Sequence, residues 1–212
     1  MPQRPAEAAR SRRQHRRAAA IRLLKAARIA GLISPTGMVV NSYPARLPYM
    51  LGAQIQKSVK FRESGSYTVL LSNAELNDIS PELASRAVQA ILPTWNASPS
   101  SKSAEDRGLV VQVLHPLFSD GNMLGYLEGG LLLNGNLELV DKINDLIYSP
   151  NTLLEGSIGT TTIFLEDVRV ATTVRRDGES RALGTRVSDV VRHSVLGRGE
   201  VWLERAFVVN DW

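Results

Sequence analysis

Cysteine is absent from all 212 residues. That excludes a disulfide scaffold, a thiolate zinc site and thiol catalysis, while leaving the compartment open. Only three histidines are present, which argues against a His-rich metal centre. No apolar run approaches the ~18 residues needed to span a bilayer, and no signal-peptide core precedes the body. Catalytic motifs are missing too. Gly125–Gly130 is glycine-rich but lacks the Lys-Ser/Thr of a phosphate loop. Neither Gly-x-Ser-x-Gly nor His-Glu-x-x-His occurs, and no nucleophile and base stand in a catalytic pattern. The expectation is a non-enzymatic protein with no metal and no cofactor.

What is present is ordinary globular composition, 43% hydrophobic and 22% charged. The net charge of +4 points at face value to nucleic acid. Its distribution says otherwise. Residues 1–28 hold nine basic residues and one acid, Glu7. The rest of the chain holds 16 basic and 20 acidic residues and is mildly acidic. A nucleic-acid reading rests on the arm alone. The arm's composition also fits a solvated surface helix, with Ile21 and Leu24 on a weak apolar stripe.

The body reads as strands and short helices. Residues 29–42 give strand, turn and strand around Ser34-Pro35-Thr36-Gly37. Residues 67–71 form a strand, and residues 73–92 form helices interrupted over 77–82, with Ser80-Pro81-Glu82 as a helix start. The polar stretch 93–106 is a loop. Two apolar runs, 109–118 and 123–133, flank Ser119-Asp120-Gly121-Asn122 and predict a β-hairpin. Apolar residues at 3–4 spacing over 136–148 predict a helix. A second hairpin is expected from 160–165 and 169–174 around Glu166-Asp167. A short helix over 187–196 and an alternating strand over 201–209 follow.

The segment Thr161-Thr162-Ile163-Phe164-Leu165-Glu166-Asp167-Val168-Arg169-Val170-Ala171-Thr172 resembles the opening hairpin of bacterial Cache sensor modules. Residues 181–188, 197–200 and 205–212 continue the pattern. The first half is similar more loosely, through His115-Pro116-Leu117, Asp120-Gly121 and Gly125-Tyr126-Leu127-Glu128-Gly129-Gly130. The resemblance implies an α+β fold. It consists of two PAS-like modules, each an antiparallel sheet with helices on one side, after a long N-terminal helix. The expected division is a basic arm over 1–28, a membrane-distal module over 29–133, a helical linker over 134–150 and a second module over 151–212 that lacks its last strands.

It also implies the ligand-sensing region of a bacterial transmembrane receptor: a sensor histidine kinase, or alternatively a chemoreceptor. The rival of another class is a nucleic-acid-binding protein using the arm. The sensing part would be periplasmic or extracellular in a plasma-membrane receptor, with the membrane reached through segments outside this chain. The expected partners are a small-molecule ligand and a second copy through the N-terminal helix, with no nucleic acid.

Candidate ligand-binding residues come from strand faces. His115 stands among Leu109, Val111, Val113 and Leu117, either as a hydrogen-bonded core histidine or as a ligand or pH-responsive contact. Tyr126 and Glu128 share a face, and Arg107 is the partner expected for Glu128. Arg205 lies with Phe207 on the face of Val201, Leu203 and Val209, clamping a carboxylate or snorkelling to water. Arg169 and Arg186 sit beside turns and read as exposed. Trp202 reads as core, and Trp95 as a loop anchor or a pocket lid.

Overall fold

The computed structural model describes residues 29–43, 63–149, 152–153, 158–204, 206 and 208–209. The expected N-terminal helix, Arg205 and Phe207 lie outside these residues. The framework divides into two compact units. Among the described residues, one comprises residues 29–43, 63–69 and 110–131, the other residues 70–109, 132–149, 152–153, 158–204, 206 and 208–209.

In the first unit, β1 (Ile29–Ile33) pairs antiparallel with β2 (Val39–Tyr43). Their turn closes through Gly37 at φ 90, where only glycine sits without strain, and Met38 N–H donates to Ser34 Oγ at 3.1 Å. Strand β3 (Gly65–Leu71) follows. In the second unit, helix α1 (Asn73–Ile79) starts on a complete capping box between Ser72 and Glu75. Helix α2 (Pro81–Ala87) starts one residue later with proline in its first turn. The break expected over 77–82 is therefore Ser80 alone. The helix expected to reach residue 92 ends at Ala87, and a short ladder follows: β4 (Gln89–Ala90), inside the expected helix, pairs with β5 (Ala104–Glu105), inside the expected loop.

The long strands β6 (Gly108–Ser119) and β7 (Asn122–Leu132) meet at Asp120-Gly121, with φ of 51 and 80. Two positive φ values match the twist of a two-residue hairpin, as the Asp-Gly signal requires. The sheet order is β2-β1-β7-β6-β3. Ile33, Val39, Leu114 and Tyr126 pack together in the first unit, with Tyr67 and Met123 against them.

Which face of β6 is inward differs from the sequence expectation. The buried positions are Gly108, Val110, Gln112 and Leu114, whereas Leu109, Val111 and Val113 are half-buried and His115 is exposed. Both faces of this strand are apolar at most positions. Period-two reading cannot choose between them, and the pairing register decides.

The C-terminal unit continues with α3 (Leu137–Ile147), capped by Asn136, whose side chain accepts from Leu139 N–H. The hairpin β8 (Thr162–Leu165) and β9 (Val168–Thr172) turns at Glu166, φ 53. All five residues of β9 are buried. Helix α4 (Asp189–Arg192) runs into a π-turn over His193–Gly197. The strand expected over 201–209 does not form in the described stretch 201–204. Val201 and Leu203 are 80% and 89% exposed. Alternation alone makes no strand without a neighbouring ladder and a surface to bury the apolar side. The fold is α+β, with antiparallel pairing of β1 with β2 and β7, of β4 with β5 and of β8 with β9.

Candidate functional site

The C-terminal unit contains a polar cavity of about 170 Å³. Lys102, Glu105, Glu166, Asp167, Arg186 and Arg192 line it, with Val168 and Ile91 among its few apolar walls. A space this small admits a ligand of a few heavy atoms or a cluster of waters.

Two buried carboxylates organise the wall. Glu105, at the end of β5, is fully buried. Arg107, two residues on, clamps it from both sides: Nε donates to Oε1 and Nη2 to Oε2, each at 2.8 Å. Lys102 Nζ adds a bond to Oε2 at 2.7 Å. Burial pushes this carboxyl up, but the bonds from Arg107 and Lys102 outweigh it and hold it at about 2. Arg107 Nη2 also reaches Glu166 Oε1 at 2.8 Å, tying the β5 exit to the β8–β9 turn. The guanidinium pKa is raised, chiefly by the bonds to Glu105 and Glu166.

The second carboxylate is Asp167, in the same turn. Arg186 Nη2 meets its Oδ2 at 2.6 Å and Arg192 Nε at 3.2 Å. The other end of Arg186 donates to the Ser98 carbonyl at 2.5 Å, and its backbone N–H donates to Thr94 Oγ1. Ser98 Oγ in turn donates to Asp189 Oδ1. The loop 94–100, the β8–β9 turn and α4 are thus fastened by charge-assisted bonds. Behind them Asn134, nearly fully buried, accepts from Leu109 N–H and donates to the carbonyls of Ala87 and Arg107.

Of the residues singled out in the sequence, Arg107 belongs to this charged constellation, but through Glu105 and Glu166 rather than Glu128. Two residues of extended backbone bring it back onto Glu105, and the hairpin turn supplies Glu166. In the N-terminal unit, Tyr126 and Glu128 do share a buried face. Glu128 accepts from Gln112 Nε2 at 3.1 Å, and Gly31 leaves room for its carboxylate, since a Cβ there would stand 2.6 Å from Oε2. His115 is exposed and exchanges a 2.8 Å bond with Ser64 Oγ, so it is no core histidine. Arg186 and Arg169 are buried or nearly so, against the expectation of exposure. A cation beside a turn reads as solvated, yet β9 is covered on both faces. Trp95 is 66% exposed. Trp202 is half-buried.

Sequence alone marks Asp167 only as a turn residue and does not point to Glu105 or Lys102. The spacing Lys102-x-x-Glu105-x-Arg107 was the available signal. Among the described residues no cluster of three or more His, Asp or Glu is placed to hold a metal ion. No described helix is long and apolar enough to cross a membrane.

An antiparallel α+β framework, with a charged cavity in the unit built around the β8–β9 hairpin, is compatible with a PAS-like ligand-binding sensory module. Residues 131–212 match the family described as single Cache domain 3. This C-terminal stretch therefore carries the Cache pattern that its hairpin resembles, and Cache modules are ligand-binding sensing domains of signal-transduction receptors. No curated protein and no solved structure matches the chain.

Proposed function

We propose that this chain is the ligand-sensing region of a bacterial transmembrane receptor, extracytoplasmic in place. The observation that carries the reading is the coincidence of two features. The Cache-matching residues 131–212 contribute Glu166, Asp167, Arg186 and Arg192 to the wall of the polar cavity. A small molecule bound there would favour one arrangement of the β8–β9 turn and α4, and the shift in populations would be the signal. The output belongs to a sensor histidine kinase, with a chemoreceptor as the alternative. The coding sequence beyond Trp212 separates the two, by a kinase core or a methyl-accepting helix bundle. A homodimer through the N-terminal residues completes the proposal.

A thermal-shift screen of the whole chain against amino acids, organic acids and amines tests the central point. A ligand that binds only the native state raises its stability by about 2.7 kcal/mol at a hundred times Kd. A saturable rise in Tm for one class is expected. Silence in every class refutes the sensing reading.

A further inference from the structure

Two stretches of the C-terminal unit wall the charged cavity, and they are held in different ways. On one side, the β8–β9 hairpin and residues 184–187 are joined backbone to backbone. Arg169 N–H donates to the Thr185 carbonyl, Gly184 N–H to that of Arg169 and Val187 N–H to that of Asp167, each at 2.9 Å. On the other side stands the loop of residues 92–102, which supplies Ser98, Pro99, Ser100 and Lys102 to the cavity. This loop lies outside residues 131–212, which match the Cache family. Backbone bonds close its base: Ile91 N–H donates to the Ser103 carbonyl at 2.8 Å and Leu92 N–H to the Gly184 carbonyl at 2.9 Å. A loop whose ends are joined is a compact unit of the Ω type.

The tip of the loop, residues 94–98, is fastened through Arg186 and Asp189. Arg186 N–H donates to Thr94 Oγ1 at 3.0 Å, and its Nη1 donates to the Ser98 carbonyl. Asp189 N–H donates to the Asn96 carbonyl at 2.6 Å, and its carboxylate accepts from Ser98 Oγ. Apolar burial adds little, because Trp95 is 66% exposed and Pro93, Asn96 and Pro99 are exposed. Segments held this way open locally at free energies below that of global unfolding. Arg186 also serves the cavity wall, since its Nη2 donates to Asp167 Oδ2 at 2.6 Å. We propose that residues 92–102 form a lid over the cavity, latched shut by Arg186 and Asp189 and opening as one unit about its base. The proposal rests on the sensing reading above and supplies the regulation of that site. A ligand that exchanges a bond with Arg186 or Asp167 acts on the guanidinium that holds the lid, so occupancy and lid position are coupled.

The test is native-state hydrogen exchange of the full chain, followed amide by amide by NMR. The Arg186 and Asp189 amides donate to the lid and report the latch. The Leu92 amide reports the base, and the Arg169 and Gly184 amides report the opposite wall. After correction for intrinsic rates, the two latch amides should exchange together and about 100-fold or more faster than the other three. Ser98→Ala and Asp189→Ala remove one bond from its two ends. Each should speed the latch amides about 10-fold and leave Arg169 and Gly184 unchanged. The double variant should add little to either single one, since the bond is lost only once. The wild-type comparison stands even if a variant fails to fold. Three results overturn the lid: latch amides as slow as those of Arg169 and Gly184, a Leu92 amide as fast as the latch, or latch rates indifferent to both substitutions. Each of these leaves the sensing reading standing, because the thermal-shift screen decides that separately. Silence in the screen with a latch that opens as expected removes the sensing reading and keeps the hinged loop.

Discussion

Acid should unfasten the cavity wall at Glu105 before it protonates the folded carboxylate. This carboxyl titrates at about 2 in the folded chain against an ordinary 4.5. A depressed folded value contributes stability that is present above 4.5 and is lost as pH falls toward 2. The difference corresponds to about 3 kcal/mol at 1.36 kcal/mol per unit, of which about 2 kcal/mol is gone by pH 3. Full burial of Glu105 justifies using most of that figure, because solvent screens the pair little. Glu105→Gln removes the titration and keeps the shape. Urea unfolding of both chains between pH 6 and pH 3, followed by tryptophan fluorescence, isolates the effect. The other lowered carboxyls, at Glu75, Asp177 and Glu200, are common to both. With a slope near 2 kcal/mol/M, the gap between the two midpoints should close by about 1 M over that range. Midpoints that fall in parallel would show that Glu105 is not held as a clamped anion, and the argument from its burial and bonds would fail.

Two glycines should respond unequally to alanine. Gly121→Ala, at φ 80 with nothing within 4 Å of the new Cβ, should lower unfolding free energy by about 1 kcal/mol through backbone strain alone. Gly184→Ala, at φ 76 with its Cβ driven into the Ala90 carbonyl oxygen, should lose about 2 kcal/mol or more and shift Tm correspondingly further. Asn134→Ala abandons one N–H and two carbonyls in a buried setting and should cost about 2–3 kcal/mol in urea titrations, against ~0.5 kcal/mol for a typical surface substitution. Arg107→Met leaves Glu105 buried with Lys102 alone, and a loss of about 3 kcal/mol at pH 7 is expected. That loss should shrink toward pH 3, where Glu105 protonates in the variant.

Local signals were legible because they are set by neighbours in sequence. Asp120-Gly121, Glu166-Asp167, Pro81 and Asn136 each fix a backbone state within four residues, and each turn or helix start appears where those residues predict it. Faces were less legible. Leu109, Val111 and Val113 alternate with Val110 and Leu114, so only the pairing partner selects the buried side of β6. The site was least legible, since it joins residues 98–107 to residues 166–192. Lys102-x-x-Glu105-x-Arg107 looks like a solvated loop until Glu166 is brought within 2.8 Å of Arg107 from 59 positions away. Arg169 shows the same lesson in reverse. Its neighbours in sequence suggest a hairpin cation in water, and only the covering of both faces of β9 makes it a buried one.

Paired charges have a particular consequence for a sensor. Glu105 with Arg107, and Asp167 with Arg186, are already paired in this structure, so a ligand in the proposed cavity would act on the turn and α4 by adding to those pairs or exchanging with them. A ligand shifts an equilibrium only by its differential affinity for the two states. In the proposed site the cations placed to supply that difference are Lys102, Arg186 and Arg192, which line the cavity. A charge-assisted bond to one of them would contribute about 1.5–3 kcal/mol. A hundredfold preference, about 2.7 kcal/mol, carries a conformer from about 1% to half of the population. One charge-assisted bond between a ligand and a cavity cation would therefore be of the right magnitude for the proposed switch.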